Sequence, residues 1–399
     1  MTRSFLIFLI ILTNCITSQN KNPIVLVHGF MGWGEQEMGP YKYWGGWFDL
    51  VGDLEKEGYT ILVASVGPVS SSWDRAIELY YQIKGGRIDY GENHSEKYGL
   101  IQKPVEKDYK GLYPQWSEKN PLHFIGHSMG GQTIRMLDYL LNNVIQDSLG
   151  TPEKSKFLGR PNKGWIKSIT TLSTPHDGTT ISDFINAGIP FLQNFIALAG
   201  VAGNSFYDFD LEQWGFKRFK EESWINYFKR MKQHSIWDSK NTVAWDSSIE
   251  GAKEINSLCV ANPDVYYFSI TNYKTKIDED SGYHKPMKGM SNILKVQARL
   301  MGRKKAYYSD GTSTDSTWYL NDGVVNTVSM LGPTTGSSGP DPITDFRQGD
   351  LLIPGQWYVM GNYEFDHSAL IGHQMRKDEY SRLKKIYSDQ LRILWSLPN

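Results

Sequence analysis

The chain predicts an α/β protein built on a mostly parallel central sheet flanked by helices, and three observations point there. Short continuous apolar runs recur along it, helix-like stretches lie between them, and one Gly-x-Ser-x-Gly pentapeptide joins such a run to a helix. Its 399 residues are 40% hydrophobic and 21% charged, enough to bury a large sheet in one domain with insertions over residues 20–399. Forty-two basic against 43 acidic residues leave no polycationic footprint for nucleic acid or anionic lipid over the chain as a whole.

Taken in order, residues 1–19 carry Arg3, an apolar run from Phe5 to Leu12 and small polar residues at Thr17 and Ser18, the layout of a secretory signal cleaved near Thr17 to Gln19. The run is too short to span a bilayer, so the expectation is a secreted, extracellular protein with no transmembrane segment. Cys15 would leave with the signal and Cys259 would remain as a lone thiol, so no disulfide holds the mature chain together. Buried strands are expected at Ile24 to Val27, Thr60 to Val66, Leu122 to Ile125, Ile166 to Leu172 and Val265 to Thr271, with a further strand-like stretch from Gln356 to Val359. Helices are expected around Phe48 to Glu57, Trp73 to Ile83 and Gln132 to Asn143. Tyr380, Leu383, Ile386, Tyr387, Leu391 and Leu394 form one stripe of a terminal amphipathic helix. Residues 332–350, rich in Gly, Pro, Ser, Thr and Asp, read as a long surface loop.

The chemistry concentrates at Gly126-His127-Ser128-Met129-Gly130. A serine hydroxyl is a poor nucleophile unless a turn holds it exposed beside a base, and the flanking glycines let strand and helix backbones approach closely there. Such an elbow demands an acid and then a histidine later in the chain. Only His367 and His373 follow residue 284, and His367 sits in the loop after the strand-like stretch. Asp322, in Asn321-Asp322-Gly323-Val324-Val325, lies in a turn beside an apolar run. The assignment is Ser128 as nucleophile, His367 as base and then acid, and Asp322 as the carboxylate that orients it. The bland alternatives are a solvated aspartate turn and a surface histidine. Asp366, adjacent to His367, points away too sharply to hold it. Backbone donors for an oxyanion fall to Met129, after the serine, and to Phe30, in His28-Gly29-Phe30 after the first strand; Phe30 reads equally well as core.

Several longer motifs resemble the secreted lipases of Bacillus, Geobacillus and Staphylococcus. They are Val27-His28-Gly29-Phe30 with Gly32-Trp33-Gly34, Tyr43-Trp44-Gly45-Gly46, Ser72-Trp73-Asp74-Arg75, Ser173-Thr174-Pro175-His176-Asp177-Gly178-Thr179-Thr180, Gln213-Trp214-Gly215 and Asn321 to Met330. The resemblance runs from about residue 22 to 372. It implies an α/β-hydrolase fold with an inserted lid and a small metal-site subdomain, the same triad, and hydrolysis of triacylglycerols and related lipid esters at an oil–water or membrane interface. Short-chain carboxylesterase and phospholipase activities stay open, as does a non-catalytic lipid-binding relative, which intact triad positions disfavour.

The same resemblance implies a zinc site of two aspartates and two histidines. Asp74, His94 and Asp246 match three ligand positions, while Leu100 stands at the fourth, so a remnant site would bind more weakly or use water. Without zinc, Asp74 reads as a helix cap and His94 as solvated; Asn93-His94-Ser95 is also a glycosylation sequon. For the family's calcium, Gly289 is kept, but Ala369, Gln374 and Met375 replace the oxygen ligands, so no calcium is expected. Residues 181–203 would be the lid; a permanently buried helix is the other reading of that apolar segment.

Overall fold

The computed structural model describes residues 20–181, 210–216 and 219–399. The expected signal segment and nearly all of the expected lid therefore lie outside the described residues.

Seven parallel strands form the central sheet: β1 (Ile24–Val27), β2 (Ile61–Ala64), β3 (Leu122–His127), β4 (Ile166–Leu172), β5 (Tyr266–Tyr273), β6 (Ile343–Asp345) and β7 (Trp357–Glu364), in the order β6-β7-β5-β4-β3-β1-β2. Their alternating side chains build two cores. On β1, Val25 and Val27 face α2 (Ser72–Lys84) and α3 (Met129–Asn142), while Ile24 and Leu26 face α1 (Leu50–Glu55) and the terminal helix α4 (Lys377–Ser396). Burial on both faces explains why these strands read as unbroken apolar runs.

Helix limits follow local chemistry. Ser71 caps α2 by accepting the Asp74 amide, and Gly85, at φ 90°, ends it. The chain passes from β1 outward to β2 and then crosses back so that β3 lies on the other side of β1. Loops leaving the carboxyl ends of β1 and β3 therefore diverge at a switch point, where such sheets leave a crevice. Ser128, directly after β3, and His28 to Phe30, directly after β1, stand there, and His367 follows β7 at the same sheet edge. Among the described residues, no helix is long and apolar enough to cross a membrane.

Candidate active site

The elbow at Ser128 is a strained turn. Its φ of 55° and ψ of −127° lie where a non-glycine residue is rarely found, and the turn is held because the Ser128 amide donates to the Leu172 carbonyl at 2.8 Å while Thr174 Oγ1 donates to the Ser128 carbonyl at 2.9 Å. The glycines around it are dictated by space. A Cβ on Gly126 would lie 2.5 Å from the backbone of Gly130, and one on Gly130 would lie 2.2 Å from the Val27 carbonyl oxygen. β1, β3 and α3 can thus converge on one point, which is how the serine comes to abut the loop after β1: a Cβ on Gly29 would meet Ser128 Oγ at 3.3 Å.

That loop is rigid. The buried Arg75 donates from Nη1 to the Gly67 carbonyl and from Nε to Thr133 Oγ1, both at 2.8 Å, and from Nη2 to the His28 carbonyl. His28 donates from Nδ1 to the Gly29 carbonyl at 2.9 Å and accepts the Val66 amide on Nε2 at 3.1 Å. Burial, with Arg75 nearby, pushes its pKa down to about 3, so it stays neutral and able to accept. Gly29 and Met31 donate their amides to Tyr43 Oη at 2.8 Å and the Pro68 carbonyl at 3.0 Å. The Phe30 amide between them donates to no protein group among the described residues. Met129 opens α3, so its amide is one of those a helix leaves without an internal partner.

Asp322 and His367 meet. His367 Nδ1 lies 2.7 Å from Asp322 Oδ2, and the His367 amide donates to the Asp322 carbonyl at 3.1 Å. The fully buried carboxylate also accepts the Val324 and Val325 amides on Oδ1, at 2.8 and 2.7 Å, and Asn272 Nδ2 on Oδ2 at 3.2 Å. Asn272, near the end of β5, donates from the same nitrogen to the Phe365 carbonyl at 3.1 Å, tying the acid turn to the histidine loop. With Nδ1 donating to the carboxylate, Nε2 is the nitrogen that a neutral imidazole leaves free to accept a proton. Asp366 is engaged elsewhere: it accepts the Ser291 and Ala369 amides at 2.7 and 2.9 Å.

Sequence reasoning missed the residues that join these parts. Tyr43 Oη, besides accepting the Gly29 amide, donates to His127 Nδ1 at 2.7 Å, and His127 donates from Nε2 to the His367 carbonyl at 3.1 Å. A single hydrogen-bonded line therefore runs from the loop after β1, across the residue preceding Ser128, to His367, whose ring centroid is 4.6 Å from that of His127. Burial, chiefly, and then the neighbouring His367 hold the His127 pKa well below its usual value, so the ring stays neutral. Tyr43 and His127 are 84 positions apart, and no local pattern signals their contact.

The residues at the implied zinc positions are engaged with protein groups. His94 Nε2 lies 2.7 Å from Asp74 Oδ1, Asn241 donates to Asp74 Oδ2 at 3.0 Å, and Asp246 Oδ2 accepts the Ser72 amide at 2.5 Å. Leu100 packs against the apolar cluster of Leu211 and Trp214. Among the described residues no three His, Cys, Asp or Glu side chains surround a common point. His94 is stacked on Trp73 at 5.3 Å and is thus no solvated side chain. Near Gly289, the Lys274 ammonium stands 3.6 Å from where a Cβ would be, paired with Glu364 at 2.9 Å. A fixed cation there opposes a second one. Cys259 is buried, and burial pushes its thiol up to about 12, an inert state.

The parallel sheet, the strained serine after β3 and the acid–histidine contact at its carboxyl edge define an α/β-hydrolase fold. The chain belongs to the family described as "Lipase-like, C-terminal domain", whose model matches residues 20–391. It is 36% identical to Lipase 2 of Staphylococcus aureus over 332 residues, 80% of this chain and 46% of that protein. It is also 36% identical to Lipase 1 of a second S. aureus strain over 381 residues, 90% of this chain and 52% of that one. The chain thus spans about half the length of the curated relatives it matches. Among solved structures, EstA from Clostridium botulinum superposes with a TM-score of 0.85 at 40% identity, covering 97% of this chain and 90% of that one. The Staphylococcus hyicus lipase gives 0.84 at 34% identity, covering 95% and 97%.

Proposed function

We propose that this chain is a secreted lipase that hydrolyses the carboxylic ester bonds of triacylglycerols and related lipid esters through an acyl-enzyme. The observation that carries the reading is the Asp322–His367 contact, beside a serine in a strained turn. Ser128 Oγ attacks the ester carbonyl and His367 Nε2 takes its proton. Asp322 fixes the imidazole and stabilises its charged form. The amides of Phe30 and Met129, which donate to no protein group among the described residues, receive the oxyanion. His367 then returns the proton to the departing alcohol, and a water activated by the same nitrogen releases the fatty acid.

Membership in a lipase family and likeness to proteins named lipases support this chemistry over a non-catalytic role. Export rests on residues 1–19 and on that kinship; N-terminal sequencing of protein recovered from medium tests it, and a start at Met1 would refute cleavage. The catalytic reading is tested by rates across soluble and emulsified esters of increasing acyl length. Turnover of long-chain triacylglycerol that falls roughly 10⁴- to 10⁶-fold in Ser128→Ala is the expected result. Activity confined to short soluble esters would replace lipase by carboxylesterase.

A further inference from the structure

The balanced charge of the whole chain conceals a local excess: from Lys285 to Lys305 there are seven basic residues and no acidic one. The short helix Lys295–Met301 lies in this stretch. Its inner face buries Leu294, Ala298 and Met301, as a surface helix should. The opposite face is also apolar. Ile293, Val296 and Leu300, spaced three and four apart, are 74%, 66% and 40% exposed. One helical face can cover only one core, so this outer stripe has no partner among the described residues. Lys295, Arg299 and Arg303 are exposed along one flank of the stripe, and Lys288 is exposed in the preceding turn. None of these four pairs with an acidic side chain among the described residues.

The placement gives the stripe a use. Asn321 donates to the Ala298 carbonyl at 3.1 Å, Leu294 packs on the Asp322 turn through Val324, and the Ser291 amide donates to Asp366 at 2.7 Å. The helix is therefore braced on both loops that carry the acid and the histidine. We propose that this face docks the enzyme on anionic phospholipid surfaces, the apolar stripe entering the headgroup boundary and the basic flank meeting lipid phosphates. Apolar residues beside unpaired cations suit a lipid surface; nucleic acid would be met by cations without the stripe. Docking here rests on the lipase reading for its purpose but is measured without catalysis.

The test is co-sedimentation of the full chain carrying Ser128→Ala with phosphatidylcholine vesicles, with and without phosphatidylglycerol. Expected is binding to the anionic vesicles that weakens with salt. Adding Lys295→Gln, Arg299→Gln and Arg303→Gln should lower it on the order of 10²-fold, about fivefold per charge. Ile293→Ser with Val296→Ser should lower it as well. In the Ser128 background, hydrolysis of a soluble short-chain ester should stay unchanged by these exposed substitutions, which controls for folding. Equal partition onto both kinds of vesicle, or a charge variant that binds like its parent, overturns the proposal. A stripe variant that binds undiminished also overturns it, because the patch is then a general polyanion site. A chain that binds anionic vesicles but hydrolyses no ester upholds the docking face while ending the catalytic reading.

Discussion

Tyr43→Phe removes one oxygen atom and leaves a ring packed against Trp33, Trp44 and His127 at 5.3, 5.3 and 5.9 Å. That oxygen satisfies two buried groups at once, the Gly29 amide and His127 Nδ1. Each buried polar group left unpaired costs about 1–3 kcal/mol, so the variant should lose roughly 2–6 kcal/mol of folding stability. A second effect falls on rate. The Gly29 amide fixes the loop that carries the Phe30 amide, and His127 holds the His367 carbonyl, so both loops loosen together. Displacements on the 1 Å scale cost about 10²-fold, and that is the expected fall in kcat on a soluble ester, with KM little changed. The assays are urea denaturation and steady-state kinetics on the same preparation. Tyr43→Phe with kcat within a factor of two of the parent, or with an unshifted denaturation midpoint, would refute the idea that this phenol couples the two loops.

Asp322→Asn should keep the fold, because an amide oxygen can still accept from Val324 and Val325, yet lower kcat on the order of 10⁴-fold by presenting the wrong imidazole tautomer; a variant within tenfold of the parent removes Asp322 from the triad. Acid should destabilise the protein. His28 and His123 are held neutral down to about pH 3 by burial, and His127 and His176 are lowered for the same reason. Below pH 6.5 the unfolded chain binds protons that these folded sites refuse, so stability rises with pH from about 3 to 6.5. The buried Asp138 and Asp246, raised to about 6 and about 7 by burial, and Asp366, raised for the same reason, work in the opposite sense and are outnumbered, since His234, His284 and His373 are lowered too. A denaturation midpoint equal at pH 7 and pH 5 contradicts this. Exhaustive treatment with a chelator should leave Tm and activity unchanged, since Asp74, His94 and Asp246 are spent on His–Asp, amide and Asn contacts; stoichiometric zinc in purified protein, lost together with stability, would show otherwise.

How much was legible depended on how local the physics was. The limits of β1 and β4 match the apolar runs read from sequence, because a strand buried on both faces must be apolar throughout. β6 escaped notice. It has three residues, only Ile343 is apolar, and it forms by pairing with Trp357 to Val359 inside a stretch that reads as loop. α3 begins at Met129, three residues before the reading from propensity, because Gly130 and Gly131 are poor helix formers whose missing side chains are required by close packing. Chain order and turn context paired Asp322 with His367, and the two side chains do meet. Arg75, Tyr43, His127 and Asn272 could not be found that way, since their roles exist only in contacts between distant segments. His94 was misjudged in its solvated alternative because stacking on Trp73 depends on how two helices pack.

The most direct test of the central claim is mass spectrometry of the intact chain after an active-site phosphonate ester, with peptide mapping of the adduct. The account predicts one phosphonyl group per chain, attached to Ser128, formed only in its presence and slowed severely in His367→Ala. Labelling that persists undiminished in Ser128→Ala, or that maps to another residue while ester hydrolysis is lost, would contradict it.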